Sequence, residues 1–308
     1  MEMVVKPNIW VKRKKLPKSD ALAALFFILP SFLGFAVFFL FPVLSSLVMS
    51  FFKWNLTGSV SDAIFNGLKN YEAIFKDQAF TASMRNSLLF TASTVLLGIV
   101  ISIVLATLIT KTVYNSGALK TMFFVPYISS TIAIAAVWQI LFNPTYGPIN
   151  GFLRSIGFES TPNWLVDFNW ALTAIMIIYI WQNLGYNIVV FIAGLSAVPT
   201  DLYEAAEVDG ASKIRQFFTI TIPMVSPTTF FLVIMGVINS FKVFDLVQVL
   251  TGGGPGNATS MLAVYIYKEG FKYYRTGTAS AAAWIMFIII FAVTIIQWHG
   301  QKKWVTYE

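Results

Sequence analysis

An all-α, polytopic membrane protein with six spanning helices is the fold class this sequence predicts, and three observations carry it. Hydrophobic residues fill 57% of the 308 positions and charged residues only 11%, against about a quarter charged in ordinary soluble domains. A soluble fold could not hide that much apolar surface. Uncharged runs at 21–52, 86–110, 121–153, 168–200, 216–241 and 276–298 each reach the about 20 residues that a helix needs to cross a hydrocarbon core about 30 Å thick. None of these runs alternates consistently over segments of about ten residues, as barrel strands would.

The first helix, at 22–50, follows the basic cluster Lys12-Arg13-Lys14-Lys15. Its apolar run is too long for a cleaved signal, and no small-residue cleavage site follows its first half, so it is expected to stay attached as an anchor. Pro30 and Pro42 are expected to bend it. Lys53 to Arg85 is then the longest soluble loop, too small for a domain of its own, with Tyr71, Ile74 and Phe75 marking a short amphipathic helix. Helices at 87–110, 121–143 and 170–194 come next, and Trp164 and Trp170 stand before the last of these as interfacial anchors. A fifth helix, at 224–250, begins after Pro223, a residue suited to a first turn. The sixth, at 278–298, ends among Trp298, Trp304 and the lone His299, all read as interfacial. With no cysteine in the chain, thiolate chemistry, disulfides and cysteine metal sites are excluded. The chain thus divides into an N-terminal segment at 1–20, a transmembrane domain at 21–300 and a tail at 301–308.

The net charge of +7 is spread over loops beside the spans rather than gathered on one soluble face, so it reports topology rather than nucleic-acid binding. With the N-terminus inside, the cytoplasmic parts hold twelve basic residues: six from Lys6 to Lys18, then Lys111, Lys120, Lys213, Arg215, Lys302 and Lys303. The opposite side holds eight: Lys53, Lys69, Lys76, Arg85, Arg154, Lys268, Lys272 and Arg275. That bias places both termini, and the polar segment Asp201–Pro223, in the cytoplasm.

This segment, DLYEAAEVDGASKIRQFFTITIP, packs four carboxylates into its first nine residues. Thr200 and Asp201 are suited to cap a short helix, on which Leu202, Ala205 and Ala206 share a face. Asp209 and Gly210 mark a reversal, since glycine tolerates positive φ. A second short helix places Ile214, Phe217, Phe218 and Thr221 on one stripe. Two readings stand side by side: an amphipathic connector lying on the membrane, and a docking element. Glu204, Glu207 and Asp209 favour docking, because anionic headgroups would repel them.

Glu204, Ala205, Ala206, Gly210, Ile220, Ile222 and Pro223 resemble the EAA motif of permease subunits in ATP-binding-cassette importers. Asp209, Ala211 and Phe217 agree with its carbohydrate-importer version, and Ile222 replaces a usual leucine. The stretch Leu250-Thr251-Gly252-Gly253-Gly254-Pro255-Gly256-Asn257-Ala258-Thr259 resembles the signature after the fifth core helix in the same branch; by itself it reads as a flexible external turn. The resemblance extends over roughly residues 20 to 300. It implies a type I importer permease fold and a subunit similar to the maltose-transporter permeases of the cell membrane. That family pairs with a second, different permease subunit, two ATPase subunits and an extracellular solute-binding protein. The coupling residues implied are Glu204, Ala205, Ala206, Asp209, Gly210 and Ala211.

No Gly-rich loop ending in Lys-Ser or Lys-Thr is present, and Gly252–Gly256 contains no lysine. The chain is therefore expected to be a non-catalytic subunit that binds no cofactor, with ATP and Mg held by the partner ATPases. Polar residues inside spans are costly and usually face a bundle interior or a watery path. The fourth helix carries Tyr179, Gln182, Asn183, Tyr186 and Asn187, and the fifth Asn239, Ser240, Lys242, Asp245 and Gln248. These either glue helices together or line a path. Lys242 and Asp245, three residues apart, are placed to pair. The resemblance implies sugar contacts from these two helices, near Tyr179, Asn183, Asn239 and Lys242; Tyr186, Asn187 and Ser240 complete the candidate path. Amides and tyrosines suit a neutral oligosaccharide. Two other classes remain open: a secondary, ion-coupled transporter, for which Asp245 is the only acid deep in an expected span, and a membrane scaffold without transport.

Overall fold

The computed structural model describes residues 18–55, 58–112 and 116–306. The cluster Lys12 to Lys15 and most of the N-terminal segment lie outside the described residues. The chain separates into two compact units, Met1–Val48 and Met49–Glu308.

In the first unit, α1 (Lys18–Phe35) continues through a π-helical turn (Ala36–Leu40) into α2 (Phe41–Met49). Pro42 has no amide hydrogen to offer the preceding turn, and the helix widens just before it, with Phe41 N–H reaching back to the Ala36 carbonyl. The expected bend is thus taken up by a π turn, and the apolar helix from Leu22 to Met49 counts as a single span.

The second unit opens with two short antiparallel strands, β1 (Phe52–Lys53) and β2 (Ile64–Phe65), pairing Phe52 with Phe65. The expected amphipathic helix follows as α3 (Lys69–Lys76). Its Ile74 is buried, its Tyr71 hydroxyl donates to Ser50 Oγ (2.8 Å), and Phe75 stays exposed. Next come α4 (Gln78–Thr112), α5 (Ser116–Ile128), α6 (Thr131–Leu141), α7 (Pro148–Ser155) and α8 (Ala171–Ser196). After these run α9 (Thr200–Val208), α10 (Lys213–Gln216), a π turn at Phe217–Thr221, α11 (Ile222–Met224) and α12 (Ser226–Phe241). The series closes with α13 (Asp245–Leu250), α14 (Leu262–Tyr267), a π turn at Lys268–Lys272 and α15 (Thr276–Gly300).

Among the described residues four helices are long and apolar enough to span a membrane, and six spans result if each of two bent pairs is one span. Those pairs modify the expected elements. In the first pair α5 and α6, where the third span was expected, are set at 99° to each other. Pro126, together with the adjacent Ser129 and Ser130, supplies the local cause, since sharp kinks occur at proline and at small polar pairs. The fifth helix does not run to 250: it ends at Phe241, turns through Lys242 to Phe244, and restarts as α13. The segment Lys213–Met224 meets α12 at 66°.

α4 packs along α8, with α5 and α12 against them. One buried cluster, including Ile103, Ile109, Ile188 and Phe191, fills the α4–α8 seam; another, including Phe142, Trp164, Ile178 and Leu246, seats α6 and α13 on α8. Trp164 therefore departs from its expected interfacial place: it is buried, stacks on Phe142 at 4.9 Å and donates its indole N–H to Asn150 Oδ1 (2.7 Å). The tightest crossing is at Gly185, where a Cβ would overlap the Phe123 carbonyl of α5.

The glycine-rich loop is pinned rather than flexible. Ser83 Oγ donates to Ser260 Oγ (2.8 Å), Asn86 Nδ2 to the Asn257 and Ser260 carbonyls (2.8 and 3.1 Å), and Leu262 N–H to Ser87 Oγ (2.9 Å). Gly252, Gly253 and Gly256 take positive φ there.

Gly185→Val is expected to push α5 off α8 and destabilise the chain by about 3 kcal/mol or more. Thermal unfolding in detergent would read this as a lower midpoint, with Gly151→Val, at a site with open space around it, as the unchanged control.

Candidate functional site

Two sites emerge, one in the segment leading into α12 and one along its second half. The first is the polar elbow of α9 and α10. Pro199, not Thr200 or Asp201, holds the N-cap position of α9, and no side chain caps it. The cap that forms is on α10, where Ser212 Oγ accepts from Arg215 N–H (3.3 Å). Between them the chain closes a Schellman motif: Gly210 N–H donates to the Glu207 carbonyl (3.0 Å) and Ala211 N–H to the Ala206 carbonyl (2.8 Å). Gly210 sits at φ +73°, in the left-handed region that costs a residue with a Cβ about 1–2 kcal/mol. Lys213 and Glu207 form an ion pair across the reversal.

Ala206 and Ala211 are half-buried, while Glu204, Ala205, Asp209 and Gly210 are exposed. The face carrying Leu202 and Ala205 therefore looks outward, and Val208 beside it is 89% exposed. The second stripe also divides. Thr221 is buried, its hydroxyl 3.0 Å from that of Tyr203, and Phe217 packs into the α4–α8 cluster. Ile214 and Phe218 face out at 73% and 61% exposure. The π turn at Phe217–Thr221 adds a residue to the turn and so breaks the simple helical stripe.

The second site is a small cavity of about 40 Å³ between α4, α5, α8 and α12. Of the residues singled out in the sequence, Tyr179, Asn183, Tyr186, Asn187 and Asn239 line it together. Tyr179 packs edge-on against Phe90 (5.0 Å), and Asn183 Nδ2 donates to the Tyr179 carbonyl (2.8 Å), which leaves its oxygen available. Tyr186 stacks on Tyr127 of α5 at 5.0 Å and 22°. The sequence reading missed Tyr127, Thr94 and Gly98, which also line the cavity. Tyr127 follows Pro126 in the last turn of α5, so the kink proline was the available signal for a helix end brought to the cavity. The lining offers amides, hydroxyls and aromatic faces and contains no charged residue.

Ser240 and Lys242 depart from the expected path. Ser240 is buried, and its hydroxyl donates to Thr91 Oγ1 (2.9 Å), tying α12 to α4. Lys242 is the C-cap of α12, exposed and outside the cavity. Asp245 starts α13 and is exposed, and no ion pair joins it to Lys242 among the described residues. The helix break explains both: a residue at a broken end reaches polar surroundings without a partner.

Residues 98–304 match the family described as binding-protein-dependent transport system inner membrane component. A probable ABC transporter permease protein of Bacillus subtilis, YurN, is 33% identical over 274 residues, which is 88% of this chain and 93% of that protein. The sn-glycerol-3-phosphate transport system permease protein UgpA of Agrobacterium fabrum is 32% identical over 279 residues, covering 90% of this chain and 94% of its own length. In fold, the chain is similar to one from the crystal structure of a bacterial ABC transporter involved in the import of the acidic polysaccharide alginate. The TM-score is 0.79 at 23% identity, over 93% of this chain and 96% of that one.

Ser240→Ala is expected to cost about 1 kcal/mol through the lost hydroxyl contact. The thermal midpoint should fall while the half-saturation of any transported solute stays unchanged, because Ser240 does not reach the cavity.

Proposed function

The chain belongs to the binding-protein-dependent transport system inner membrane components, an integral membrane family of ABC permeases, and from that premise we propose that it forms half of the translocation path of an ATP-driven sugar importer. A second, different permease subunit supplies the other half. Two ATPase subunits dock on the α9–α10 elbow and carry the ATP and Mg; this chain is non-catalytic and holds no cofactor. An extracellular binding protein delivers the substrate. Both termini, the segment at 1–20, the tail at 301–308 and the elbow are cytoplasmic, in keeping with the bias of lysine and arginine. The membrane domain is 21–300.

The observation that carries this reading is α9, none of whose nine residues is buried. A helix with exposed Leu202, Ala205 and Val208, held to its neighbour by a glycine-dependent reversal and an ion pair, has the form of a rigid docking element. It also argues against a connector lying on lipid, since Glu204 and Asp209 share its exposed surface. Rigid-body movement of such an element is an established way to pass a partner's motion to packed helices.

The cavity supports a carbohydrate substrate. Its amides and tyrosines pair with sugar hydroxyls and stack on sugar faces, and an oligosaccharide would gain from several such contacts. The names of the relatives, glycerol 3-phosphate and alginate among them, widen the class to polyhydroxylated solutes, including acidic ones. An ion-coupled carrier would need an acid held inside a span; Asp245, the one acid that the sequence offered for it, stands exposed at a helix start.

Glu204→Lys combined with Gly210→Pro should abolish solute uptake by cells while the chain remains inserted in the membrane. Undiminished uptake would refute docking at the elbow. Asn183→Leu should weaken half-saturation for the transported sugar by roughly fivefold to tenfold, the worth of one lost hydrogen bond, without loosening the ATPase subunits. If ATPase co-purification falls in parallel, Asn183 is a packing residue instead.

A further inference from the structure

The end of β1, α3 and the start of α15 enclose a cleft of about 510 Å³ that the proposed transport path does not use. Its frame is rigid. Gly277, in the first turn of α15, lies so close to β1 that a Cβ would overlap the Phe52 carbonyl. Asn70, buried at 6%, donates to the Ser50 and Phe52 carbonyls (2.8 and 3.0 Å), and Asn66 Nδ2 donates to its Oδ1 (3.4 Å).

Three cations, Lys53, Lys69 and Arg275, line this frame, and no carboxylate does. Among the described residues neither lysine has an ion-pair partner. Arg275 touches the buried Glu269 through Nη1 (3.5 Å) and lies 5.6 Å from the Tyr273 ring centre, leaving donors free. Burial raises the pKa of Glu269, an effect that Arg275 partly offsets. Asp62 lines the adjoining cleft, where its carboxylate accepts from Ser59 N–H (2.8 Å).

The depth of the cleft is set by its neighbours. Thr276, between the lining Arg275 and Gly277, begins a candidate span, and Ile64 of the adjoining cleft and Tyr274, next in sequence to the lining Tyr273 and Arg275, stand exposed. Apolar and aromatic side chains beside a cationic site are the pattern of the headgroup layer.

We propose that this cleft binds a glycerophosphate group: Lys53, Lys69 and Arg275 hold the phosphate, and the amides of Asn55 and Asn66 meet the glycerol hydroxyls. Cations in a fixed frame suit a phosphate ester, and the depth allows it to arrive on an anionic phospholipid or free from solution. The inference rests on membrane depth and charge, and is independent of which solute the central cavity carries.

The full chain, in the complex in which it purifies, would be placed in nanodiscs of equal phosphatidylglycerol and phosphatidylcholine, then stripped with mild detergent, and the retained lipid counted by native mass spectrometry. Phosphatidylglycerol should be enriched about tenfold or more over phosphatidylcholine, given about fivefold per basic side chain at an anionic surface. Lys53→Gln with Lys69→Gln should abolish most of that enrichment, and Lys53→Arg with Lys69→Arg should keep it. In a second arm, sn-glycerol 3-phosphate and inorganic phosphate at millimolar concentration are added to protein in phosphatidylcholine alone. A rise in thermal midpoint that is lost in the double glutamine variant identifies the free ester as a ligand, whereas lipid enrichment without such a rise identifies the phospholipid. Equal retention of both lipids together with no response to either soluble phosphate would overturn the proposal, and this comparison needs only the unaltered protein. Enrichment indifferent to the glutamine substitutions overturns it as well.

Discussion

The close crossing of α8 and α5 at Gly185 is the constraint on which the rest of the membrane unit depends. In lipid there is little hydrophobic drive to bring helices together, so small residues that let backbones approach do much of the work. Here the approach leaves no room for a Cβ beside the Phe123 carbonyl. Asn183 and Tyr186 flank this contact, so the crossing that locks the helices also sets the height and rotation of the cavity lining. The stacked pair Tyr127 and Tyr186 follows from it, one ring from each helix.

Polar side chains divide into two roles according to whether a partner is within reach. Ser83, Ser87, Asn86 and Ser240 join α4 to the glycine-rich loop, the start of α14, and α12. They act as glue, each replacing a contact that lipid cannot supply. Tyr179, Asn183 and Asn187 instead border open space. The distinction is one of geometry, not residue type: Ser240 and Asn239 are chain neighbours, yet one is buried against Thr91 and the other opens to the cavity.

Much of the fold was legible because span length and hydrophobic runs report directly on the bilayer. The runs located both ends of α8 and α15 and the C-terminal end of α4 to within two residues, while α4 begins nine residues before the expected start, and the pattern of Tyr71 and Ile74 located α3. The breaks were less legible. The 99° bend between α5 and α6 was signalled by Pro126, Ser129 and Ser130, whereas no proline or glycine marks the end of α12 before Lys242. That ending moved Lys242 and Asp245 out of a span and removed the reason for them to pair. The elbow was readable from its glycine and alanines, but the π turn after it, which sends Phe218 outward and Phe217 inward, leaves no trace in a helical stripe. Trp164 misled because tryptophan is common at interfaces; its buried bond to Asn150 depends on a tertiary contact.

The hydroxyl contact between Tyr203 and Thr221 ties the elbow to the segment leading into α12, and α12 carries Asn239 near its far end. Its 16 residues make a rod about 24 Å long. Such a rod is a lever: a tilt of about 10° at the elbow displaces the opposite end by about 4 Å over that length, more than a hydrogen bond can stretch. A modest rotation at one end is therefore enough to make or break a solute contact at the other, and the stiffness of the α9–α10 reversal decides how much of that rotation arrives.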